Sequence, residues 1–289
     1  MEVINSVKHM KETAGKLSVE GRRIGLVPTM GYLHEGHMSL IQKCREENDA
    51  VIVSIFVNPV QFGQNEDFEK YPRDVLHDIK MLKEADTDFL FMPYANDMYG
   101  KDHGTFIEVK GVSEQLCGGR RPGHFSGVST VVAKLFNICI PSNAYFGQKD
   151  YQQTVVIRKM TRELNFDITI SVCPTVREKD GLAMSSRNIY LNPEQRSQAP
   201  IIYQALKMAA EVVYNGEKDS DKVRELFKSV IGTMKDPVID YIEIRDRDDL
   251  ADVEIIDRPV VIAAAVYIGK TRLIDNIMTG GADDADKRT

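Results

Sequence analysis

Residues 26–41 read Leu-Val-Pro-Thr-Met-Gly-Tyr-Leu-His-Glu-Gly-His-Met-Ser-Leu-Ile. The chain enters this segment as an apolar strand over residues 24–27 and continues through a loop that holds two glycines. Apolar side chains then recur at helical spacing over residues 38–44. A strand, a loop of small residues and a helix start bring backbone N–H groups and the helix dipole against an anion. The segment therefore predicts a phosphate-binding site, with His34 and His37 beside the anion.

Composition restricts the class of protein. The 289 residues suffice for two domains, and 43% hydrophobic with 28% charged residues is typical of a globular chain with a proper core. A net charge of −6 and a pI near 5.6 argue against general affinity for nucleic acid or for an anionic membrane. The four cysteines are scattered without a C-x-x-C pair, which predicts reduced, buried thiols in a cytosolic protein.

Targeting and membrane signals are not recognisable in the sequence. No segment approaches the ~18 consecutive apolar residues of a membrane span. The start Met1-Glu2-Val3 lacks the basic and apolar regions that open a signal peptide. We therefore expect a soluble cytoplasmic enzyme that acts on small molecules, with no nucleic-acid or membrane partner.

The order of the predicted elements indicates the fold class. Residues 50–57 form a mostly apolar run of strand length, typical of a strand buried on both faces of a parallel sheet. Strands and helices alternate up to residue 172, which predicts an α/β, Rossmann-like doubly wound parallel sheet. The predicted helices cover 6–20, 36–48, 75–85, 128–138 and 151–164, and the predicted strands cover 24–27, 50–57, 89–92, 144–146 and 168–172, with a strand candidate at 105–109 and a glycine-rich basic loop at 119–127.

The character of the sequence changes after Pro174. Two helices and three strands are predicted beyond a polar stretch, at about 194–214, 219–234, 239–245, 260–266 and 271–277. Helices followed by strands predict a smaller C-terminal α+β domain. We place the boundary at Val176, which gives domains 1–176 and 177–289, and we expect the C-terminal domain to cover the active site.

The His-Glu-Gly-His segment at residues 34–37 admits other interpretations. A zinc-protease helix needs H-E-x-x-H, whereas the histidines here are three residues apart across a glycine, so a zinc site is disfavoured. Two polar loop histidines without a function are the plainer alternative. A dinucleotide fingerprint G-x-G-x-x-G and a Walker A loop are both missing after the strand. Phosphate binding by imidazole donors remains the favoured hypothesis.

The same residues carry a resemblance to known proteins. The run from Met30 to His37 resembles the HIGH signature of the nucleotidyltransferase superfamily, which includes class I aminoacyl-tRNA synthetases. Blocks over residues 26–192 and 272–276 are similar to one family in particular, the pantothenate synthetases or pantoate–β-alanine ligases. The resemblance implies a sheet of the nucleotidyltransferase type and assigns ATP binding to Met30, Gly31, Tyr32, Leu33, His34, Glu35, Gly36 and His37.

Two further segments point to the acid substrate. The amides of Asn58 and Gln61 can donate and accept hydrogen bonds toward hydroxyls and a carboxylate without adding net charge. A turn after a buried strand explains Pro59 but not these amides. The resemblance assigns Gln61 to pantoate, near the entry of β-alanine, and makes residues 61–71 a candidate lid. It also places Arg121 on the pantoate side, acting through order rather than direct chemistry, with a solvated turn as the alternative.

The strand end before Gly147 also opens into a helix. Gly147 permits close backbone approach to a ligand, and a lysine at a helix N-terminus opposes the dipole unless an anion is present. We therefore expect Lys149 at the phosphates, with Gly147 and Gln148 also at ATP and Asp150 either on the ribose or orienting Lys149. The resemblance assigns Gln153, one helical turn beyond Lys149, to pantoate.

A loop near the predicted boundary contains two hydroxyls followed by an arginine, Ser185, Ser186 and Arg187. Short donors beside a planar guanidinium suit a phosphate clamp, although a helix cap or turn explains Ser-Ser-Arg as often. The resemblance makes this loop the counterpart of the synthetase KMSKS loop and adds Val176 and Met184 at the nucleotide. Arg177 and Lys179 are interpreted as solvated charges.

The resemblance implies an ATP-dependent condensation of (R)-pantoate with β-alanine through a pantoyl adenylate, with release of AMP and diphosphate. Catalysis falls to His37, the family's proton donor, with His34 and Lys149. Mg²⁺ accompanies ATP mainly through phosphate oxygens, so dedicated protein ligands to a metal are not expected. The family similarity also predicts a homodimer. The alternatives are a nucleotidyltransferase that stops at a nucleotide–substrate product, and a regulatory nucleotide-binding module.

Overall fold

The computed structural model describes residues 1–63 and 66–280. These residues form two compact units. The first unit contains residues 1–148 and 152–174, and the second contains residues 149–151 together with the described residues after 174. Within the described ranges, no helix combines the length and the apolar character that crossing a membrane requires.

The first unit is built on a six-stranded sheet in the order β1-β4-β3-β2-β5-β6. Every neighbouring pair runs parallel, which confirms the predicted doubly wound α/β sheet. The strands are β1 Glu2–Ile4, β2 Ile24–Thr29, β3 Ala50–Ile55, β4 Phe89–Phe91, β5 Asn143–Gly147 and β6 Thr169–Cys173. The helices are α1 Val7–Val19, α2 Glu35–Glu47, α3 Val75–Glu84, α4 Ala95–Met98, α5 Leu116–Arg120, α6 His124–Cys139 and α7 Tyr151–Glu163, with 3₁₀ turns at Pro59–Gln61 and Gln148–Asp150.

The position of β2 in this sheet determines where a ligand is expected. The chain adds β3 and β4 on one side of β2, and later adds β5 and β6 on the other. In open parallel sheets the crevice outside the carboxyl ends of the strands at such a reversal is the usual ligand site. The segments that follow β2 and β5 are the two ends at this reversal.

Burial explains why the central strands read as continuous apolar runs. Five of the six residues of β3 are buried, and so are five of the six in β2, because helices cover both faces of a parallel sheet. All four cysteines are free and buried, as predicted. Burial raises the pKa of the Cys44 thiol to about 12.

Two predictions for this unit are wrong. Residues 105–109 form no strand, because the backbone N–H of Ile107 donates to the hydroxyl of Thr130 (2.9 Å) on α6 instead of to a neighbouring strand. The predicted glycine-rich loop 119–127 is largely helical, containing the end of α5 and the beginning of α6. Gly123, at a φ of +81°, provides the turn that separates the two helices.

The second unit is an α+β structure, as predicted. Its antiparallel sheet has the order β7-β8-β9. The elements are α8 Pro193–Gln198, α9 Ile201–Tyr214, α10 Ser220–Ile231, β7 Pro237–Asp246, β8 Val260–Ile268 and β9 Thr271–Thr279, after a 3₁₀ turn at Ser186–Tyr190. The single helix predicted over 194–214 is in fact two, because Pro200 has no N–H to continue the ladder. Helix α9 packs on β9 and β8, and helix α10 packs on α9 and β7. Strand β8 is buried at eight of its nine residues.

Candidate active site

The N-terminus of α2 is capped by two histidines. His34 is the N-cap, in extended backbone conformation, and its Nδ1 accepts a hydrogen bond from the N–H of Gly36 (3.1 Å). The Nδ1 of His37, at the third helical position, accepts a hydrogen bond from the N–H of His34 (3.3 Å). This is a reciprocal capping box made of imidazoles, and the two rings lie with centroids 4.1 Å apart. Both predicted histidines are therefore fixed at the helix N-terminus after β2.

The caps determine which ring nitrogen carries the proton. A nitrogen that accepts a hydrogen bond from a backbone N–H must present its lone pair, so Nδ1 is unprotonated in both rings. In the neutral imidazole the proton then lies on Nε2. His34 and His37 thus carry two Nε2–H donors, at the helix end where the dipole favours negative charge.

Asp78 on α3 fixes the turn that precedes these histidines. Its carboxylate accepts from the N–H of Leu33 (2.7 Å) and from the N–H of Tyr32 (2.9 Å). Tyr32 is in the left-handed region, at a φ of +53°, and Gly31 precedes it at +82°. Asp78 itself is buried, at 1% exposure. Burial raises the pKa of Asp78, against the opposing effect of the two backbone donors.

Gln61 lies beside the end of β2. Its Nε2 is 3.1 Å from the Sδ of Met30, and its Oε1 accepts from the Nδ2 of Asn58 (3.0 Å). The structure therefore brings together three residues predicted for the site, Met30 from the first segment and Asn58 and Gln61 from the second. The two neutral amides, predicted to face the substrate, bond to one another here.

Asn58 is almost completely buried, at 1% exposure, and its amide is used within the protein. Besides Gln61, its Nδ2 donates to the carbonyl of Gly127 (3.1 Å), and its Oδ1 accepts from the hydroxyl of Tyr99 (2.7 Å). Burial raises the pKa of the Tyr99 hydroxyl, while the hydrogen bond to Asn58 lowers it. Asn58 thus orients Gln61 and ties the end of β3 to α6.

A close approach of α6 supports the backbone at Gln61. A Cβ at Gly127 would lie 2.7 Å from the Cα of Gln61, so only glycine allows this contact. From the same helix His124 reaches the carbonyl of Gln61 with its Nδ1 (2.8 Å). Because Arg121 only donates, its contact with His124 Nε2 (3.1 Å) makes that nitrogen an acceptor and makes Nδ1–H the donor to Gln61.

Arg121 is held by a carboxylate. Its guanidinium donates two hydrogen bonds to Glu66, and both side chains are mostly buried, at 20% and 25% exposure. Burial raises the pKa of Glu66, but the hydrogen bonds and charge of Arg121 outweigh it and hold the pKa below its usual value. Through His124, this ion pair supports the backbone at Gln61. The solvated turn considered for Arg121 is wrong.

In the second unit, the loop predicted as a phosphate clamp is a small hairpin. Arg177 pairs with Ala183, and the N–H of Met184 donates to the carbonyl of Val176 (3.0 Å). Ser185 then caps the following 3₁₀ turn by accepting from the N–H of Arg187 (3.2 Å). Val176, Met184, Ser185, Ser186 and Arg187 therefore lie on one hairpin and the turn after it.

Arg177 is not a solvated charge, contrary to the sequence-based interpretation. Its guanidinium donates two hydrogen bonds to Asp275 on β9, at 2.6 and 3.0 Å, and one to the carbonyl of Gly181 (3.2 Å). It also stacks on Tyr203, with the guanidinium carbon 3.5 Å from the ring centroid. Lys179 is exposed, as expected.

The segment after β5 contains the remaining predicted residues. Lys149 lies in the 3₁₀ turn and is partly buried, and its carbonyl accepts from the Nδ2 of Asn276 (2.9 Å). A Cβ at Gly147 would meet no described atom within 4 Å, so the packing of the described residues does not require this glycine. Gln148 and Asp150 share the turn with Lys149, and Gln153 is half-buried on α7.

Sequence reasoning missed the residues that hold the predicted ones. Asp78, Tyr99, Asp275 and Asn276 are distant in sequence from their partners. The block 272–276 carries the resemblance, but nothing in it indicates which segments Asp275 and Asn276 contact. One signal existed for Asp78, a carboxylate on the apolar side of an amphipathic helix, where burial demands a partner. Another existed for Asp275 and Asn276, two adjacent polar residues with two apolar residues on either side of them in β9.

The parallel sheet, with a capped helix N-terminus after its central strand, defines an α/β enzyme of the nucleotidyltransferase type. The family model described as pantoate-beta-alanine ligase matches residues 2–278. The chain belongs to this family of ATP-dependent ligases.

Individual relatives agree along the whole chain. The pantothenate synthetase of Thermotoga petrophila is 51% identical over 280 residues, which cover 97% of this chain and 100% of the relative. The crystal structure of pantothenate synthetase from Thermus thermophilus has a TM-score of 0.91 at 40% identity, covering 96% of this chain and 99% of that one. A third neighbour is the Francisella tularensis pantoate-beta-alanine ligase complexed with beta-gamma ATP and beta-alanine. Its TM-score is 0.81 at 38% identity, covering 97% and 99% of the two chains.

Proposed function

We propose that this chain condenses (R)-pantoate with β-alanine at the expense of ATP, releasing AMP and diphosphate. Membership of the family across residues 2–278 supports the overall reaction. The observation that carries the residue roles is the imidazole capping box at the N-terminus of α2, because it holds two Nε2–H donors at an anion-binding helix end.

In the first half-reaction the pantoate carboxylate attacks the α-phosphorus of ATP and diphosphate leaves. This step needs positioning and charge stabilisation more than proton transfer. His34 and His37 donate from Nε2 to the phosphate oxygens on which charge develops. The turn of Met30, Gly31, Tyr32, Leu33, Glu35 and Gly36 completes the phosphate cradle, and Asp78 holds that turn in place.

Further cations and short donors proposed for the nucleotide are Lys149 and residues of the segment 176–187. Lys149 contacts the phosphates, with Gly147, Gln148 and Asp150 beside it in the chain. Ser185, Ser186 and Arg187 bind the departing diphosphate, and Val176 and Met184 contact the nucleotide. Support for this assignment comes from the hairpin, which pairs Val176 with Met184 and leads directly into the turn that holds Ser185, Ser186 and Arg187.

For the acid substrate we propose Gln61 and Gln153 as the direct contacts. Asn58 and Arg121 act through Gln61, because the side-chain amide of Asn58 and the guanidinium of Arg121 bond to protein groups. Asn58 orients the Gln61 side chain, and Arg121 supports its backbone through His124. A neutral amide recognises hydroxyls and a carboxylate without repelling the phosphates.

In the second half-reaction the neutral amine of β-alanine attacks the carbonyl of the pantoyl adenylate. The amide bond forms, the acyl–phosphate bond breaks, and AMP leaves with the electron pair. By the family resemblance His37 is the proposed proton donor, and in the neutral ring its Nε2–H supplies a hydrogen bond to the charge that develops on the departing phosphate. The attacking nitrogen releases its extra proton to water, which leaves the neutral amide.

Mg²⁺ is proposed to accompany ATP. Among the described residues there is no group of three or more His, Cys, Asp or Glu side chains arranged to hold a metal ion. Magnesium with a nucleotide is usually held by phosphate oxygens and water, and we propose the same arrangement here. When bound, it would neutralise phosphate charge.

Diphosphate release, measured with ATP, pantoate and β-alanine and with each omitted in turn, tests the function. We expect release to require ATP and pantoate, and AMP release to require β-alanine as well. Diphosphate release without pantoate would contradict the proposal. A nucleotidyltransferase that stops at a nucleotide–substrate product would release diphosphate but no β-alanine-dependent AMP.

We also propose that the chain works in the cytoplasm as a homodimer. Light scattering coupled to gel filtration gives the mass of the particle directly. A mass of one chain, 32.6 kDa, at working concentrations would contradict the homodimer.

A further inference from the structure

Two adjacent residues of β9, Asp275 and Asn276, are buried polar side chains in a sheet that is otherwise mostly apolar. Their exposures are 5% and 2%. Successive side chains of a strand leave opposite faces of a sheet, so neighbouring residues reach different partners. Here each partner belongs to a different segment proposed to bind phosphate.

Asp275 holds the hairpin of residues 176–184, called the clamp hairpin below, through Arg177. Its carboxylate receives both hydrogen bonds of the Arg177 fork, and one of its oxygens also accepts from the backbone N–H of Asn276 (2.8 Å). Arg177 in turn closes the hairpin through the carbonyl of Gly181 and stacks on Tyr203. A bidentate pair fixes orientation as well as distance, so Asp275 determines how the hairpin leaves the sheet.

The ring of Tyr203 packs against the clamp hairpin. Gly181 lies against its ring at a φ of +97°, where a Cβ would be 2.9 Å from the ring carbon Cδ1. The tip of the hairpin and the guanidinium of Arg177 thus both pack on one ring. The hairpin is therefore held by packing on the Tyr203 ring and by the ion pair between Arg177 and Asp275.

Asn276 fastens the second segment. Its Nδ2 donates to the carbonyl of Lys149 (2.9 Å), which fixes the backbone from which the lysine side chain extends. A 3₁₀ turn of three residues has little rigidity of its own. The bond to a buried strand residue therefore holds the Lys149 backbone.

We propose that Asp275 and Asn276 are positioning residues of the ligase, which together set the spacing between the clamp hairpin and Lys149. This rests on the proposed function, because it assumes that both segments bind the phosphates of ATP. Neither residue touches substrate in this proposal. Each acts through Arg177 or through Lys149. Since about 1 Å of misplacement can cost about 100-fold in rate, the spacing matters to chemistry even where stability is hardly changed.

The sheet provides a matched control. Arg272 on β9 donates two hydrogen bonds to Asp240 on β7, and both side chains are 17% exposed. This pair has the same chemistry in the same sheet, and its two hydrogen bonds join β9 to β7. Asp275→Asn and Asp240→Asn are therefore compared as purified full chains, by thermal unfolding and by pantoate-dependent diphosphate release.

We expect Asp275→Asn to lower the kcat of diphosphate release by about tenfold or more, and Asp240→Asn to change it by less than about twofold. Loss of kcat in proportion to lost stability, equal in both variants, would show a structural role only and overturn the proposal. The double variant Arg177→Gln/Asp275→Asn should be no slower than the slower single variant, because both changes remove the same contact. Additive losses would also overturn it.

Asn276→Ala tests whether Asn276 positions Lys149. It also keeps the proposal testable if Asp275→Asn does not fold. It leaves the ion pair intact, and we expect about a tenfold fall in kcat that disappears in a Lys149→Ala background. An unchanged kcat in Asn276→Ala would refute positioning of Lys149. The wild-type chain separates the two hypotheses. Failure of pantoate-dependent release in the wild type contradicts the function, whereas normal wild-type release with unaffected variants contradicts only the positioning.

Discussion

The carboxylate of Asp78 accepts a hydrogen bond from the backbone N–H of Leu33 at 2.7 Å, and the two residues are 45 positions apart in the chain. The same carboxylate holds Tyr32 in a left-handed conformation. A loop of this kind has no ladder of its own, so a buried acceptor on a neighbouring helix must provide its order. The geometry of the two histidines that follow depends on this contact.

Replacing Asp78 by alanine should therefore weaken both stability and turnover. It leaves two largely buried backbone N–H groups without an acceptor, so we expect a loss of about 2 kcal/mol or more in the free energy of unfolding. Diphosphate release should fall at least about tenfold at temperatures where the variant is folded. Urea unfolding and steady-state kinetics measure the two effects.

Asp74→Ala is the matched control for this variant. Asp74 caps the same helix α3 from an exposed position, by accepting from the N–H of His77 (3.0 Å). Its loss should cost about 1 kcal/mol of stability and leave turnover unchanged. Equal turnover in the two variants would contradict the role given to Asp78.

Asparagine at positions 34 and 37 separates capping from catalysis. Its side-chain oxygen can replace Nδ1 as an acceptor, and asparagine is a favourable N-cap, so the helix should remain stable. The Nε2–H donors are lost, and we expect diphosphate release to fall by about 100-fold or more in His37→Asn. His34→Asn should behave similarly, and thermal unfolding should change little in both. Near-normal release would refute the phosphate contact.

The ion pair of Glu66 and Arg121 predicts a pH-dependent stability. The folded-state pKa of Glu66 lies below its usual 4.5, so its contribution is fully present above the unfolded-state pKa and is lost as the pH falls through the folded-state value. The difference in unfolding free energy between wild type and Glu66→Gln should therefore be larger at pH 7 than at pH 3. Urea unfolding at a series of pH values measures it, and a constant difference would show that the pair contributes nothing specific.

Replacing Gly127 by alanine should displace the backbone of Gln61. The added Cβ would lie 2.7 Å from the Gln61 backbone, so we expect a loss of about 1–3 kcal/mol in stability and a raised KM for pantoate. Gly15→Ala in α1 is the control, because a Cβ there meets no described atom within 4 Å. That change should stabilise the chain by up to about 1 kcal/mol without altering KM. An unchanged KM in Gly127→Ala would show that the contact of α6 with Gln61 does not contribute to pantoate binding.

The sheet was accessible from sequence because its signals are local. The apolar runs of β2 and β3 follow from burial on both faces, and the start of α2 follows from polar residues placed ahead of an apolar repeat. The strand wrongly predicted at 105–109 shows the limit of such signals. A short run with strand composition is decided by its neighbours, and here the hydroxyl of Thr130 takes the place of a strand.

The candidate site could be located from sequence where ligand chemistry calls for particular side chains in a short segment, as at His34 and His37, which the structure places at the N-terminus of α2. The contacts that hold those segments could not be predicted. Asp78 and Asp275 look like ordinary acidic residues in sequence, and only packing shows that each is the acceptor for a distant segment. Arg177 shows the same limit from the other side, since its partner lies 98 positions further along the chain.

That separation has a consequence for synthesis on the ribosome. The chain emerges from its N-terminus, and all strands of the parallel sheet precede residue 174, so the first unit can form before β9 exists. The clamp hairpin also emerges early, but Arg177 finds no Asp275 until nearly a hundred further residues have been made. The anchored hairpin is therefore among the last parts of a newly made chain to mature, since it waits for the C-terminal sheet.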